Sequence, residues 1–481
     1  MRTTMTFSCS TPVRVLLASA LLTSLAACAT AGRYPVQAAA VPSSYGADSA
    51  SLAAGSTLPT SGLDRPRADV RADRWWTAFG DERLDRLVTQ VLAANNDLAV
   101  AGLNVQRARL QAGLANNALW PDPSLSGLAT STSRAIDRSD NWRSSDYTTG
   151  VSLQWEVDLW GKLRTQRDIA VWSAQASEED RQNTALIAIS DAVNYYWNLA
   201  YLNQSIVSAA ADMARLARTL ELVQARFDAG AASGLEVRQA RQGLEAQRVT
   251  QSALEQQRVE ARNALTVLLD GQAWSQADEP QSLSGATSPP LEAGLPADLL
   301  ARRPDLRAAE LGLRNSLKQI KVTAASYYPT LSLNGSVGTS GPTLGDVLRN
   351  PVATLGAGLT LPFLNLQKAQ LNTDLAGTDY QIAATRFRKT LYTALSEVDN
   401  ALSARDQLAI QVAASQASFD EAVAVERAEE VRYRVGATAL RDWLQAQQTR
   451  RSAELALAGV RQNQLINDVT LFKALGGSAA R

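Results

Sequence analysis

The sequence predicts a mixed α+β protein in which one structural unit occurs twice along the chain. Three observations support this prediction. Short segments recur at a nearly constant offset of 206 residues. Each copy contains stretches in which apolar and polar residues alternate, which is the pattern of half-buried strands. Each copy also contains a helical run much longer than the helices of compact domains, and the first of these, 161–230, lacks proline.

The N-terminus has the features of a secretory signal. The apolar run VLLASALLTSLAAC is too short for a stable membrane anchor and predicts a signal peptide over 1–27. The run ends in LAAC, which resembles the lipobox of bacterial lipoproteins and implies acylation of Cys28; the alternative is an ordinary signal peptide with a chance cysteine. The alanine that follows implies sorting to the outer membrane. Residues 28–72, rich in Ala, Ser, Gly and Pro, are expected to form a lipidated N-terminus and tether.

The internal repeat is the most specific signal in the chain. RFDAG at 226 and RYRVG at 432 lie 206 residues apart, and the same offset relates PSLS at 123 to PTLS at 329. A chance match of one pentapeptide would not keep its register over such a distance. We therefore expect a first repeat over 73–270, an intervening segment 271–304, a second repeat over 305–477 and a C-terminal tail 478–481.

Each repeat contains the same elements in the same order. A helical run is followed by two strands, a very long helix and a second long helix. In the first repeat these are expected over 81–119, 124–134, 147–159, 161–230 and 235–270. In the second repeat they are expected over 305–327, 330–340, 351–364, 367–436 and 440–475.

Three of the strand segments alternate over about ten residues, the length of a transmembrane β-strand, whereas SLSGLATSTS at 124 alternates poorly. In YTTGVSLQWEVDLW the apolar side chains are separated by Ser152, Gln154, Glu156 and Asp158. A small soluble sheet would show the same pattern, and the export signal favours the membrane. Four strands cannot close a barrel, and an open edge is forbidden in lipid. Since barrels begin at about eight strands, at least two chains must share one barrel.

The long helices predict a coiled-coil structure. Seventy helical residues span roughly 105 Å, which suits a tube across the periplasm better than a compact domain. The helix 235–270 has a main seam with 3-4 spacing and a weaker second seam, and two seams indicate neighbours on both sides. The main seam runs through Val237, Ala240, Leu244, Gln247, Gln251, Leu254, Arg258, Ala261, Leu265 and Leu268. The second runs through Ala246, Val249, Ala253 and Val267.

The composition excludes several classes of function. Lys plus Arg and Asp plus Glu both number 47, so no nucleic-acid partner is indicated. Histidine is absent, which excludes Ser-His and Cys-His catalysis and His-ligated zinc. The two cysteines, Cys9 and Cys28, cannot form a disulfide framework or a thiolate metal cluster. No cofactor or metal is expected.

The chain resembles the outer-membrane factors, export channels of the TolC and OprM type, in their NodT-like lipoprotein branch. The resemblance rests on DRWWTAFGDERLDRLVTQVLAANNDLAVA at 73–101, LPADLLARRPDLRAAE at 295–310, the duplicated strand pairs and the two RF/RY-x-x-G turns. It implies a homotrimer in which twelve strands, four per chain, form a β-barrel in outer-membrane lipid, continuous with a periplasmic coiled-coil barrel. Residues 271–304 would contribute to an equatorial belt. It also implies docking onto a periplasmic adaptor and an inner-membrane pump, usually of the resistance-nodulation-division class.

The same resemblance assigns roles to the two turns. Gly230 and Gly436 would reverse the chain at the periplasmic ends of helical hairpins, and the turns would dock the adaptor and close the tunnel. The docking residues would be Arg226, Phe227, Gly230, Arg432, Tyr433 and Gly436. The gate candidates are Glu236, Arg432, Tyr433 and Asp442, with Tyr433 expected to bond a neighbouring hairpin.

These residues also have simpler structural interpretations that do not involve a gate. The glycines could simply end helices, and Glu236 could be a first-turn carboxylate favoured by the helix dipole. Thr438 and Gln445 stand where relatives carry charged residues, so the gate network is expected to differ here.

The leading hypothesis is thus a passive export duct in the outer membrane of a Gram-negative bacterium, driven by a partner pump. A channel for type I protein secretion would have the same build, since the pump selects the substrate. A periplasmic coiled-coil lipoprotein without a pore is the next alternative. An enzyme is the weakest: histidine is absent, and although carboxylate-only chemistry needs none, no acidic pair stands out where a cleft is expected.

Overall fold

The computed structural model describes most of the chain beyond the N-terminal segment. The described residues are 74–134, 142–283, 285, 288–289, 299–343, 345–347, 349, 351–362 and 365–477. The expected signal peptide 1–27, the lipidation site Cys28, the tether 28–72 and the tail 478–481 lie outside them, as does part of the expected equatorial segment 271–304.

Helices dominate the described residues. A 3-10 turn at Trp75–Phe79 is followed by α1 (Glu82–Ala94), α2 (Asn96–Asn117), β1 (Asp122–Arg134), β2 (Trp142–Val157), α3 (Lys162–Asp228), α4 (Gly234–Leu268), α5 (Leu299–Arg302), α6 (Pro304–Ala325), β3 (Thr330–Gly341), β4 (Val352–Thr360), α7 (Leu366–Arg434) and α8 (Leu440–Ala474). Among these, the order helix, strand, strand, long helix, helix occurs once in each half of the chain. The two longest helices, α3 and α7, contain 67 and 69 residues.

The helical run expected over 81–119 consists of two helices in the structure, Glu82–Ala94 and Asn96–Asn117. Asn95 interrupts them with an extended backbone at φ −63° and ψ 124°. Its side-chain oxygen accepts a hydrogen bond from the backbone N–H of Leu98 at 3.0 Å, which caps the start of α2. Asparagine competes with the helix in this way through its short polar side chain, so the break has a local cause.

The strand ends also differ from the expected bounds. The strand expected over 147–159 begins earlier, at Trp142, and ends at Val157. The strand expected over 351–364 ends at Thr360, just before Pro362. Proline lacks the N–H that a sheet ladder requires, which explains why pairing stops there.

The described strands form an antiparallel sheet in the order β1-β2-β3-β4. The register separates apolar from polar residues. One row across the sheet contains Leu125, Val151, Val337 and Ala353. The next row, whose side chains point to the opposite face, contains Ser124, Ser152, Ser336 and Thr354. The sheet therefore has one mainly apolar and one mainly polar face, and side chains on its apolar face such as Leu125 and Leu355 are 79% and 91% exposed. The mainly polar face also includes Leu128 and Val352.

The chain divides into two compact units. In described residues, one comprises 116–167 and 316–382 and contains the sheet; the other comprises 74–115, 168–315 and 383–477 and is helical. The helical unit has an aromatic core in which Trp75 stacks on Phe472, with ring centroids 4.9 Å apart. No helix in the described part of the chain combines the length and apolarity that a membrane span requires.

The main seam expected on the helix 235–270 is buried in α4. The buried residues of this helix are Val237, Ala240, Leu244, Gln247, Leu254, Ala261 and Leu265, all members of that seam. The weaker second seam is exposed in the single chain, where Val249 and Val267 are 71% and 75% accessible.

Candidate functional site

The two glycine turns have the same backbone geometry. We call residues 226–237 the first tip and residues 432–443 the second tip. In the first tip, Ala231 N–H donates to the carbonyl of Arg226 at 2.7 Å and Gly230 N–H to that of Phe227 at 2.9 Å. This is a Schellman motif, and Gly230 takes the left-handed conformation that it requires, at φ 73°.

The second tip repeats these bonds. Ala437 N–H donates to the Arg432 carbonyl at 2.7 Å, and Gly436 N–H donates to the Tyr433 carbonyl at 3.0 Å, with Gly436 at φ 80°. Glycine is favoured at both positions because a side chain disfavours positive φ. Each motif therefore places an arginine and an aromatic residue at fixed positions in the last turn of a long helix.

The aromatic residues of the two tips have opposite environments. Phe227 is 44% exposed, whereas Tyr433 is 2% exposed. Tyr433 belongs to a small apolar cluster, the tip cluster, made of Val223, Val237, Ala240, Tyr433, Leu440 and Trp443. Its ring stacks on Trp443 with centroids 5.3 Å apart and an interplanar angle of 29°. Tyr433 is thus part of a core that combines helices from both repeats.

Arg226 contacts Tyr433 in two ways. Its Nη1 donates a hydrogen bond to the backbone carbonyl of Tyr433 at 2.9 Å, and its Cζ lies 4.6 Å from the centroid of the phenol ring. The second distance is within the range of a cation–π interaction. These contacts join a residue at the end of α3 to a residue at the end of α7.

The tyrosine hydroxyl is buried and makes no hydrogen bond among the described residues. Burial raises the pKa of Tyr433, with a further contribution from the negative charge of Glu236, while Arg226 opposes both. The bond to a neighbouring hairpin expected for this hydroxyl therefore has no counterpart within the described chain. The ring is held by its faces and by apolar contact.

The other gate candidates make local contacts. Glu236 accepts from the backbone N–H of Ser233 at 2.7 Å, and the Ser233 hydroxyl in turn accepts from Glu236 N–H, which forms a capping box at the start of α4. Arg432 pairs with Glu429 at 2.7 Å on its own helix. Asp442 accepts from the Thr438 hydroxyl at 3.1 Å. The structure thus brings Arg226 and Tyr433 together but leaves Arg432 and Asp442 with near neighbours in sequence.

A buried ion cluster between α3, α7 and α8 was not anticipated. The Arg450 guanidinium contacts Asp212 and lies 2.5 Å from Glu426 and 2.6 Å from Glu454. Burial alone would lower the pKa of Arg450, but the three carboxylates outweigh it and raise the pKa. The sequence contained a signal for this cluster. Arg450 occupies the position equivalent to Leu244 of the first repeat, so a charged residue stands where the helix seam of the first repeat has an apolar one.

Among the described residues, no group of three or more histidine, cysteine, aspartate or glutamate side chains is placed to hold a metal ion. The tips consist of Schellman turns, a cation–π pair and ion pairs at the ends of long helices.

Comparison with known proteins agrees with this architecture. The family model described as "Outer membrane efflux protein" matches residues 87–271 and again residues 295–477, together more than half of the chain. The chain belongs to the outer membrane efflux protein family. The two matched stretches cover most of the expected repeats 73–270 and 305–477, and the resemblance to outer-membrane factors is confirmed.

Named members of this family cover nearly the same length. The pyoverdine export outer membrane protein OpmQ of Pseudomonas aeruginosa is 31% identical over 420 residues, 85% of this chain and 88% of OpmQ. The toluene efflux pump outer membrane protein TtgC of Pseudomonas putida is 31% identical over 423 residues, 85% of this chain and 86% of TtgC. The solved structure of the outer-membrane channel OprN has a TM-score of 0.79 and 26% identity, covering 93% of this chain and 98% of OprN.

These findings confirm the expected function at the level of the family. This outer membrane efflux protein is an outer-membrane channel component of an efflux system in a Gram-negative bacterium. Its mixed fold, mostly helical with a four-stranded antiparallel sheet within the described residues, is that of the solved channels. The family consists of channel proteins rather than enzymes.

Proposed function

We propose that three copies of this chain form a passive export duct that docks onto a periplasmic adaptor and, through it, onto an inner-membrane pump of the resistance-nodulation-division class. No catalytic role is proposed. The names of the related proteins, outer membrane proteins of export and efflux pumps, support the assignment to a multi-component system. Energy for transport comes from the pump in this proposal, and substrate selection lies there too.

The main observation in support of the proposal is that the two faces of the sheet differ in polarity. Its apolar row, with Leu125, Val151, Val337 and Ala353, is uncovered within the described chain. Its polar face consists largely of hydroxyl and small side chains. One face suits lipid and the other suits an aqueous lumen.

The sheet edges support sharing between copies. Within the described residues β1 and β4 each pair on one side, so each sheet has two open edges. In lipid those edges must pair, and a neighbouring copy of the same sheet supplies the required partner. Three copies with four strands each form a closed twelve-stranded barrel, within the range of known outer-membrane barrels.

The helices support a duct of several chains as well. The second seam of α4, which includes Val249 and Val267, is exposed in the single chain. A ring of coiled helices would cover it with a helix of the adjacent copy. In this proposal the two tips lie at the periplasmic mouth, where they dock the adaptor and close the duct.

A pair of arginine substitutions on adjacent residues tests the sheet. Leu355 lies on the apolar face and Thr354 on the polar face of β4, and both are exposed in the chain. Leu355→Arg places a charge in lipid at a cost of about 2–4 kcal/mol near the bilayer midplane, so assembly should fail. Thr354→Arg places the charge in the lumen, so the particle should assemble with altered ion selectivity.

The measurements are the mass of the detergent-solubilised particle by light scattering, corrected for bound detergent, and its conductance in a planar bilayer. Wild-type protein should be a trimer that conducts. A wild-type monomer without conductance would overturn the shared barrel, as would equal behaviour of the two arginine variants.

The lipid anchor is a separate part of the proposal. Cys28 follows LAA in the sequence, and acylation there would tether the mature N-terminus to the membrane. Cys28→Ser should abolish incorporation of a labelled fatty acid while leaving the trimer in the outer membrane, since the barrel binds lipid far more strongly. Undiminished labelling of the variant would contradict acylation at this residue.

A further inference from the structure

The two tips of one chain are joined by a residue that the family resemblance did not assign to the gate. Arg226 belongs to the first tip, yet its guanidinium contacts Tyr433 of the second tip. Its own tip is closed by the Schellman bonds and by the capping box of Ser233 and Glu236. Neither of those features uses the guanidinium, so its contacts serve the second tip.

The atom that Arg226 binds has a defined place in the second tip. The carbonyl of Tyr433 already accepts the N–H of Gly436 at 3.0 Å in the Schellman motif. A carbonyl has two acceptor positions, and Arg226 Nη1 uses the other at 2.9 Å. This carbonyl lies in the last turn of α7, where the helix dipole favours a positive charge. Arg226 therefore caps the C-terminus of a helix in the other repeat.

The same guanidinium also covers the buried ring. Tyr433 is 2% exposed, stacks on Trp443 and has no hydrogen bond from its hydroxyl among the described residues. Its position therefore depends on the groups that lie against its faces. Because a desolvated cation–π contact is stronger than an exposed one, the half-buried Arg226 is well placed to hold the ring.

The equivalent residue of the second repeat does not act in this way. Arg432 pairs with Glu429 three residues earlier on α7, and its side chain is 56% exposed. An exposed pair of this kind contributes little to stability and joins nothing beyond one helix turn. The repeat thus places an arginine at the same position twice, but only the first copy spans the two hairpins within the described residues.

We propose that Arg226 is a positioning residue for closure of the duct: it latches the hairpin of α7 and α8 to that of α3 and α4 by holding Tyr433 in the tip cluster. The proposal rests on the function proposed above, in which the tips close the periplasmic mouth. Opening requires the second tip to leave the first, and the bond to the Tyr433 carbonyl and the contact with its ring must break when it does.

The test compares four arginine variants of the full-length trimer. Arg226→Gln removes the charge and the planar guanidinium group. Arg226→Lys keeps the positive charge but replaces the guanidinium with an ammonium group. Arg432→Gln removes the equivalent residue of the second tip. Arg434→Gln is the matched control, because Arg434 is exposed and pairs with Glu430 on its own helix at 2.7 Å. Single-channel conductance and open probability are measured in a planar bilayer.

The latch predicts that Arg226→Gln raises the ratio of open to closed time roughly tenfold, equivalent to about 1.4 kcal/mol. Arg226→Lys should lie between this variant and wild type. Arg432→Gln should have a smaller effect, and Arg434→Gln should resemble wild type. Trimer mass and heat resistance should be unchanged in all four.

Hydrogen exchange of the tip amides separates a latch from a merely local role. In Arg226→Gln the amides of Gly436 and Ala437, which close the second Schellman motif, should exchange faster. The amides of Gly230 and Ala231, beside the substitution, should keep their wild-type rates. The opposite result, with faster exchange confined to the first tip, would show that Arg226 merely stabilises its own turn and would overturn the latch.

The outcomes also separate this inference from the function on which it rests. If wild-type protein conducts and Arg226→Gln gates like wild type, or if Arg432→Gln has the larger effect, the latch is wrong and the duct stands. If wild-type protein forms no conducting particle, the proposed duct itself is wrong. Should Arg226→Gln fail to assemble, Arg226→Lys decides: wild-type gating and exchange in that variant would refute the need for the guanidinium fork.

Discussion

The two tips share a backbone and differ in how their side chains are used. Both end a long helix with a Schellman motif built on a glycine at positive φ. In the first tip the next helix begins with the Ser233 and Glu236 capping box, and Phe227 is exposed. In the second tip the next helix begins at Leu440, its N-cap residue Ala439 makes no side-chain cap, and Tyr433 and Trp443 are buried. The two tips therefore share the turn and differ in the packing around it.

The two tips are therefore stabilised by different interactions. Polar groups close the first tip locally, which leaves its aromatic ring at the surface, where a partner can contact it. Apolar packing closes the second tip, and that packing includes Val223 and Val237 from the first hairpin. The second tip therefore depends on the first for its position, whereas the capping box of the first tip is self-contained.

The largest effect is expected for a substitution in α8, the helix that follows the second tip. Arg450→Leu installs the residue that the first repeat has at the equivalent position, Leu244. The change leaves the carboxylates of Asp212, Glu426 and Glu454 without their shared partner, and removing one side of a buried ion pair costs about 3–5 kcal/mol. Denaturant unfolding of the detergent-solubilised protein, followed by circular dichroism, should show this loss.

The control for that prediction is Arg248→Leu, since Arg248 pairs with Glu245 at 3.0 Å and is 62% exposed. A surface change of this kind should cost about 0.5 kcal/mol or less. If Arg450→Leu is no more destabilising than the control, the second hairpin does not depend on its buried charges.

The next test truncates, one at a time, two side chains of the tip cluster that occupy equivalent positions in the two repeats. Trp443→Ala removes a buried ring and should lower the local stability of the second tip by about 3 kcal/mol. The equivalent change in the first repeat, Val237→Ala, removes two methyl groups and should cost roughly 1–2 kcal/mol. Hydrogen exchange of the amides of Gly436 and Ala437 reports the local free energy of opening. Equal effects would mean that the cluster does not favour the second tip.

The helix caps offer a reciprocal exchange. Ser233→Ala removes the capping box and should destabilise the start of α4 by about 1 kcal/mol. Ala439→Ser places a capping side chain at an extended N-cap, with φ −78° and ψ 153°, and should stabilise the start of α8 by up to about 1 kcal/mol. Amide exchange in the first turn of each helix measures both. A loss of stability in Ala439→Ser would show that tip packing excludes a cap there.

The smallest effect is expected for Tyr433→Phe, which makes the second tip match Phe227 of the first. The hydroxyl is buried without a hydrogen bond in the described chain, so its removal should change local stability by about 0.5 kcal/mol or less at neutral pH. Because burial raises the pKa of Tyr433, the folded protein keeps this proton in alkali when the unfolded chain has lost it. Stability of the wild-type tip therefore falls as the pH rises above about 10.

Tyr433→Phe should remove this alkaline loss. The check is a near-ultraviolet titration of tyrosinate in both proteins, together with channel conductance at neutral and alkaline pH. The missing tyrosine should be one that titrates late in wild type. A difference spectrum with an ordinary tyrosine pKa would contradict the burial of this hydroxyl, and raised conductance of the variant at neutral pH would show that the hydroxyl takes part in closure.

Several features followed from local patterns. The alternation in β2 and β4 has period two, which only an extended backbone can place on two faces, and the register of the sheet kept those faces apart. The point at which the helical run 81–119 divides did not follow from such a pattern. Nothing in the apolar periodicity of 81–119 marks Asn95 as a helix end, because its cap depends on one side-chain hydrogen bond.

By itself the sequence determined the repeat, the long helices, the strand faces and the two glycine turns, because each depends on residues that are neighbours in the chain. The tertiary structure alone decided that Tyr433 is buried while Phe227 is exposed, that Arg226 rather than Arg432 spans the hairpins, and that Arg450 joins three carboxylates. These contacts join residues up to 238 positions apart in the sequence. Two arginines in equivalent positions have the same local signal, and only the packing of α3 against the second hairpin distinguishes them.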